Sequence, residues 1–515
     1  MNDSKRPQLL PETEISALYD RPSFNKNERE LYFNLSEQEK SLADIYANTR
    51  TYVYFILQLG YFKAKQLFFK FNFEDVSDDV AYIVNSYLEK SASLKGCVSR
   101  DSINDQKDRI LCLFNYSAWS PILKNKSEHH LLELLKFYPQ KHNAIRQLLL
   151  YFEQNQIVIP SYRTLQDIYS SAFNLESKRL DDVIQKIPKH LQTRLEDFIK
   201  NNDGVTELNL IRQDPKDFQC MVMREEADKA QNLRDLYDLS STYIPKLNLA
   251  KNAVRYYAQV TEDYPAARLR KLKKPKQWLY ILCFVYHRYQ QIIDNLIASF
   301  IYRVRLFQDA GKEAAEIAYM QHYASFSLNF PGAAKFMQWF PTRDKNLGYE
   351  ELNNIAYDML PESEFSSFAK YLDGSKFDKK AAIWEFYDNQ SRSFALYLRP
   401  ILLTVGFEYF QKDSRLIEMI NLLKDHYQAG KSPRQFKLSD DMGFTIPKNM
   451  VPYLKSNPED QYVAPHLFEF YVYERMVYQL EKGRLYCNDS ISYCDLDNDL
   501  VPDSLVDQIC VFHFT

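Results

Sequence analysis

Arg268-Leu-Arg-Lys-Leu-Lys-Lys-Pro-Lys276 runs through Gln277 into Trp278-Leu-Tyr-Ile-Leu-Cys-Phe-Val-Tyr-His-Arg-Tyr-Gln-Gln-Ile-Ile-Asp-Asn-Leu296, and this join governs how the chain is read. The first nine residues hold six cations and no acid. Downstream of them, Trp278, Leu282, Val285, Tyr289, Ile292, Leu296, Phe300 and Val304 recur at steps of three and four, so one face of a long helix from about Gln277 to Phe307 is apolar and must be covered. A cationic string fused to a helix that demands burial is the layout of a polyanion-facing surface anchored on a core. Between Lys251 and Ala310 there are 11 Lys and Arg against four Asp and Glu, whereas the whole chain carries a formal charge of -3. The positive charge is therefore segregated.

Working outward, the 515 residues contain 11 glycines, while Leu, Lys, Glu, Gln and Ala recur between aromatic residues. Scarce glycine and abundant helix formers predict a mainly α fold, and the length predicts several helical domains. The 38 Tyr and 34 Phe fall at helical spacing, which favours bulky core filling over base stacking for most of them. Seven cysteines, odd in number and far apart, form no metal-ligand spacing; reduced thiols, a cytoplasmic setting and no structural zinc are expected. The N-terminus lacks an apolar leader, and the longest apolar run, Trp278 to Tyr286, is too short for a bilayer, so neither secretion nor membrane insertion is expected.

Four blocks are expected. In residues 1–73, Ser36 with Glu39 three positions later is a capping-box pattern, predicting a helix that starts there. Asn48 to Lys65 reads as an amphipathic helix ending near Gly60, with Lys63 and Lys65 in a basic turn after it, an arrangement suited to a helix-turn-helix-like DNA-binding bundle or to an ordinary helical pair. Residues 74–214 read as a second helical domain, with helices at Asp105 to Phe114, Lys141 to Phe152 and Arg163 to Tyr169, the last capped by Ser161 or Thr164 after Pro160. Residues 215–427 carry long helices, including Ala227 to Tyr243. Residues 428–515 begin with a Gly- and Pro-punctuated linker (Gln428 to Pro465), followed by a helix (His466 to Glu481) and a short β-hairpin at Arg484 to Cys494.

The chain contains no phosphate-binding GxxxxGK[ST], no GxSxG, no HExxH and no GxGxxG. His129-His130 lacks the i,i+4 spacing of paired helical ligands, and the acidic pairs Asp181-Asp182 and Asp440-Asp441 read as solvated carboxylates before they read as Mg²⁺ ligands. On motifs alone the chain is a binding or structural protein.

The order of several segments adds a resemblance. Leu10-Pro-Glu-Thr-Glu-Ile15, Tyr32-Phe-Asn-Leu-Ser-Glu-Gln-Glu39 and Phe55-Ile-Leu-Gln-Leu59 are succeeded by Pro160-Ser-Tyr-Arg-Thr-Leu-Gln166, Arg212-Gln-Asp-Pro-Lys-Asp-Phe218, Met223-Arg-Glu-Glu226, Ala250 to Val260 and Leu279 to Gln290. Towards the end come Phe468 to Glu481 and Lys482 to Tyr493. In this order they resemble transposases of the Tn-three family over almost the whole chain. The resemblance implies N-terminal helical domains that bind the terminal inverted repeats of an element as double-stranded DNA, a homodimer, and a nucleoid-associated cytoplasmic protein. It also implies that DNA cutting belongs to an RNase H-like domain whose two Asp and one Glu hold Mg²⁺. The chain is expected to stop short of that domain, a truncated or frameshifted reading that Ile509 to Thr515 would fit, so no catalytic residue, metal or other cofactor is assigned here.

The expected DNA contacts are Arg50, Tyr52, Lys63 and Lys65 in the first block, and Arg109, Lys141, Arg146 and Arg163 in the second. Arg255, Arg268, Arg270, Lys271, Lys273 and Lys274 complete the set around the basic string. Arg and Lys would neutralise phosphates, with one or two arginines reading guanine edges. The same residues also allow a helical scaffold that binds proteins through aromatic faces, with the cations serving solubility. A metal-dependent nuclease is the third reading.

Overall fold

The structure, a computed structural model, describes residues 6–88, 94, 96–200, 206–328, 330–372, 377–410, 415–429, 436–437, 446–455 and 462–496. It is mainly α-helical. Its first helices are α1 (Glu12–Tyr19), α2 (Lys26–Phe33), α3 (Glu37–Ala43), α4 (Thr49–Lys65), α5 (Ser77–Tyr87), α6 (Arg100–Leu113), α7 (Pro121–Phe137), α8 (Lys141–Gln154), α9 (Tyr162–Ile184) and α10 (Lys189–Phe198). They continue with α11 (Glu207–Ile211), α12 (Cys220–Tyr243), α13 (Lys251–Asp263), α14 (Ala266–Arg270) and the 54-residue α15 (Lys274–Ser327). Beyond these lie α16 (Phe330–Trp339), α17 (Tyr349–Met359), α18 (Glu362–Leu372), α19 (Lys379–Asp388), α20 (Ser391–Tyr397), α21 (Arg399–Thr404), α22 (Arg415–Gln428), α23 (Val451–Leu454) and α24 (Pro465–Glu481). The chain divides into two compact units, one of Met1–Leu208 with Asp238–Tyr286, the other of Asn209–Tyr237 with His287–Thr515.

In the first unit, local chemistry starts the helices where the sequence places them. Ser36 caps α3 and exchanges bonds with Glu39 in a capping box, Asn25 and Glu28 do the same for α2, and Ser161 accepts from the Thr164 N–H at the start of α9. The helix expected to end near Gly60 instead runs on to Lys65 and closes on Gln66 in the left-handed conformation. Gly60 is there for space: a Cβ would sit 2.4 Å from the Phe33 ring, so the glycine lets α4 and α2 approach closely. Nor is α4 amphipathic. Tyr52 to Phe62 are all buried, which makes α4 the central helix of its cluster and puts Lys63 and Lys65 in its last turn.

Two apolar clusters fill this part of the unit. The first gathers α2, α4, α5 and α6 around Phe33, Phe55, Tyr61, Ile83 and Ile110, so it extends well past residue 73. Buried polar groups in it pair with one another: Asp79 accepts from Tyr61 Oη at 2.6 Å and Arg29 Nε at 2.7 Å, and Gln58 donates to Gln106 at 2.7 Å. The second cluster packs α7, α8 and α9 with Leu9 and Leu10, which the extended segment before α1 delivers. That segment is held by His142 Nδ1 against the Leu9 carbonyl (2.6 Å) and by Gln166 on the Pro7 carbonyl (3.0 Å).

The second unit is organised on α24, buried from Leu467 to Tyr473 on every face. Glu469 at its centre is 0% exposed yet accepts two bonds from Arg399, at 2.8 Å each, with Tyr427 Oη at 2.7 Å and Tyr473 Oη at 2.6 Å. The strand near the C-terminus, Leu485–Tyr486, is antiparallel to Glu408–Tyr409. Its partner therefore lies before α22, and residues 487–493 close a loop through the Cys487 N–H on the Tyr493 carbonyl at 2.8 Å. A second pair joins Phe436–Lys437 to Tyr462–Val463. Most of the proposed linker from Gln428 to Pro465, together with Asp440-Asp441 and Ile509 to Thr515, lies outside the described residues.

Candidate nucleic-acid interface

α13 to the start of α15 builds one cationic edge of the first unit. α13 buries Ala253, Val254, Ala258 and Thr261, which leaves Arg255 and Gln259 exposed one turn apart. Pro265 starts α14, whose Ala266 and Leu269 are buried and whose Arg268 and Arg270 are exposed. Then the string splits by side-chain direction. Arg270 Nη1 donates to the Ile199 carbonyl at the end of α10 (2.7 Å), and Lys274 pairs with Glu196 at 2.9 Å. Trp278 Nε1 donates to the same Glu196 carboxylate at 3.1 Å, and the buried Gln277 donates to the Leu269 carbonyl at 2.9 Å. These bonds fix the string to the core. Arg268, Lys271, Lys273 and Lys276 stay exposed.

Tyrosines lie beneath the exposed cations. The Arg268 guanidinium sits 3.7 Å over the Tyr264 ring and Lys276 Nζ 5.6 Å over Tyr280. Tyr280 stacks on Tyr257 at 5.5 Å, and Tyr257 meets Tyr256 edge-on at 5.5 Å. Burial pushes the phenols of Tyr256, Tyr257 and Tyr280 up, so the rings stay neutral beneath the cations. Lys276 is the residue that the expected site left out although it belongs to the string; the i,i+4 spacing to Tyr280 was its signal.

The other expected contacts sort by what holds them. Lys63 Nζ bonds Glu39 (2.8 Å) and the Asn34 carbonyl (2.9 Å), tying α4 to the α2–α3 turn. Lys65 Nζ caps the end of α1 through the carbonyls of Ala17 (2.6 Å) and Asp20 (2.7 Å), and burial lowers its pKa. Arg109 pairs with Asp105 at 2.9 Å within α6, and Arg146 pairs with Glu14 at 2.5 Å. Tyr52, 9% exposed, belongs to the first core cluster and presents no ring face to a ligand. Arg50, half-buried, lies against Gly96. Among the described residues, Lys141, Arg163, Arg255, Lys271 and Lys273 have no carboxylate partner; Lys141 and Arg163 open α8 and α9.

Two arginines of the second unit turn onto its backbone. Arg288, 1% exposed, donates to the carbonyls of Ile211 (2.9 Å) and Gln213 (2.8 Å) and to Asp214 (2.5 Å). Arg303 donates to the Phe218 carbonyl at 3.1 and 2.5 Å. Together they hold the Arg212-to-Phe218 segment, which has no helix of its own to satisfy its carbonyls. The 489–492 loop is bound in the same way. Asp489 accepts from Arg234 (2.9 Å) and Tyr237 (3.0 Å), and the Asp294 carboxylate accepts from the N–H groups of Ile491 (2.9 Å) and Ser492 (3.2 Å) and from the Ser490 and Ser492 hydroxyls. Among the described residues no group of three or more His, Cys, Asp or Glu is placed to share a metal ion, and no helix is long and apolar enough to cross a membrane.

Residues 9–172 match the model of a domain of unknown function, DUF4158. That span covers the first cluster and begins and ends on residues of the second, Leu9 and Ala172. No curated protein matches the chain.

Proposed function

We propose that this chain is the DNA-recognising and dimerising part of a transposase, binding the terminal inverted repeats of its element as duplex DNA. The observation that carries this reading is the edge of α13, α14 and the start of α15. There Arg255, Arg268, Lys271, Lys273 and Lys276 are all exposed while the neighbouring Arg270 and Lys274 anchor the backbone that presents them. Exposed cations on an anchored backbone neutralise a phosphate row without first breaking internal pairs. The matched N-terminal domain supports the same reading, because it is a domain that Tn-three family transposases carry.

Self-association is part of the proposal. α15 leaves Tyr302, Leu306, Ile317 and Met320 exposed along one side, at helical spacing suited to a second copy of the chain. The same stripe favours the scaffold reading if its occupant is another protein.

A titration separates the readings. Fluorescently labelled duplex carrying the inverted repeats that flank the gene is titrated with the whole chain at two salt concentrations, beside a random duplex of equal length. The proposal expects tighter binding to the repeat, weakening steeply with salt. Equal affinity for both duplexes, or none for either, would sink it. Sedimentation of the chain, alone and with DNA, tests the dimer.

A further inference from the structure

We infer that Arg268 is the sequence-reading residue of the cationic edge, taking the major-groove edge of a guanine, while Arg255, Lys271 and Lys273 contact phosphates. This rests on the duplex-DNA reading proposed above. The guanidinium carbon lies 3.7 Å from the Tyr264 ring centroid, a stacking distance at which a fully edge-on guanidinium would drive its nitrogens into the ring. The stacked face leaves the N–H groups directed outward in the plane, and among the described residues none of them has an acceptor.

The backbone beneath is equally fixed. Pro265 sets the start of α14, Ala266 and Leu269 are buried, and Arg270 and Gln277 tie the turn to α10 and to itself. A planar fork held in one orientation suits the O6 and N7 acceptors of guanine, which it meets with two parallel bonds. The lysines beside it are point charges on flexible stems and carry no such geometry. Arg270 is already committed to the Ile199 carbonyl, and among the described residues Arg255 has no ring beneath it.

The test is selection from a library of duplexes randomised over about one and a half helical turns, the reach of one such module. Wild type, Arg268→Lys, Tyr264→Leu and the double variant Lys271→Ala/Lys273→Ala are compared, each also titrated on a random duplex. The inference expects the wild type to enrich a motif with a fixed guanine. Arg268→Lys should bind random duplex nearly as well but lose about tenfold or more of the discrimination at that guanine. The double lysine variant should bind every sequence more weakly and select the wild-type motif.

If Arg268→Lys enriches the same motif as strongly as wild type, the assignment is overturned. It is overturned too if the double lysine variant changes the motif, or if the wild type binds duplex without enriching any sequence. Failure of the wild type to bind duplex at all would overturn the proposed function with it. Tyr264→Leu keeps the guanidinium but removes its platform and should relax the same position; undiminished discrimination in a folded Tyr264→Leu protein contradicts the stacking argument. Arg268 is exposed, so the Lys variant folds whatever becomes of the tyrosine variant.

Discussion

Arginines inside the second unit and on the basic edge of the first do opposite work. In the second, Arg288 and Arg303 turn onto backbone carbonyls and Arg399 onto the buried Glu469 carboxylate. At the basic edge of the first, Arg255, Arg268, Lys271 and Lys273 face outward, and Arg270 alone among the arginines of the string is spent on a carbonyl. Local sequence hardly separates the groups, since Arg288 sits in the same charge-rich stretch as Arg268. What separates them is demand. The segment from Arg212 to Phe218 has carbonyls without a helix or strand to use them, whereas α13 and α14 satisfy their own.

This contrast is breakable. The largest effect is expected for Arg288→Ala, which takes the donor from the Ile211 carbonyl and leaves the Gln213 carbonyl to Lys229; urea unfolding should report a loss of about 3 kcal/mol. A loss under about 1 kcal/mol would mean the segment finds other partners. Lys63→Ala, an inward cation of the first unit, should cost about 1 kcal/mol by the same measurement and leave affinity for duplex DNA unchanged.

The outward set should behave in the reverse way. Lys271→Ala/Lys273→Ala should keep stability within about 0.5 kcal/mol of wild type, while the slope of log affinity against log salt falls by about two. A stability loss as large as that of Lys63→Ala would place those lysines among the structural cations. The smallest effect concerns the exposed pair of Glu14 and Arg146. The hydrogen bond from Arg146 holds the Glu14 carboxyl below its ordinary value. Its folded pKa is therefore depressed, so its contribution is present above the unfolded carboxylate value and fades as pH falls through the folded one. Unfolding measured from pH 7 into the acid range should show Arg146→Ala losing less stability than wild type as Glu14 protonates.

Features governed by nearest neighbours along the chain were legible. The Ser36–Glu39 capping box, the Ser161 cap and the apolar face of α15 are where spacing places them, and of that face only Trp278 is less than fully buried. Features governed by what lies across the core were not. Gly60 looked like a helix stop and is a contact point for Phe33; Tyr52 looked like a ligand-facing ring and is core. The β-strand at Leu485–Tyr486 has a partner about 75 residues earlier, a pairing no turn signal encodes.

By itself, then, the sequence determined the helical class, the starts of α3 and α9 and the segregation of positive charge, because capping, periodicity and composition act within a few residues. Only the tertiary structure decided which cations remain available. A side chain is claimed by whatever carbonyl or carboxylate folding brings within about 3 Å, and those partners come from distant parts of the chain. Lys63 and Arg288 found such partners; among the described residues Lys271 and Lys273 did not.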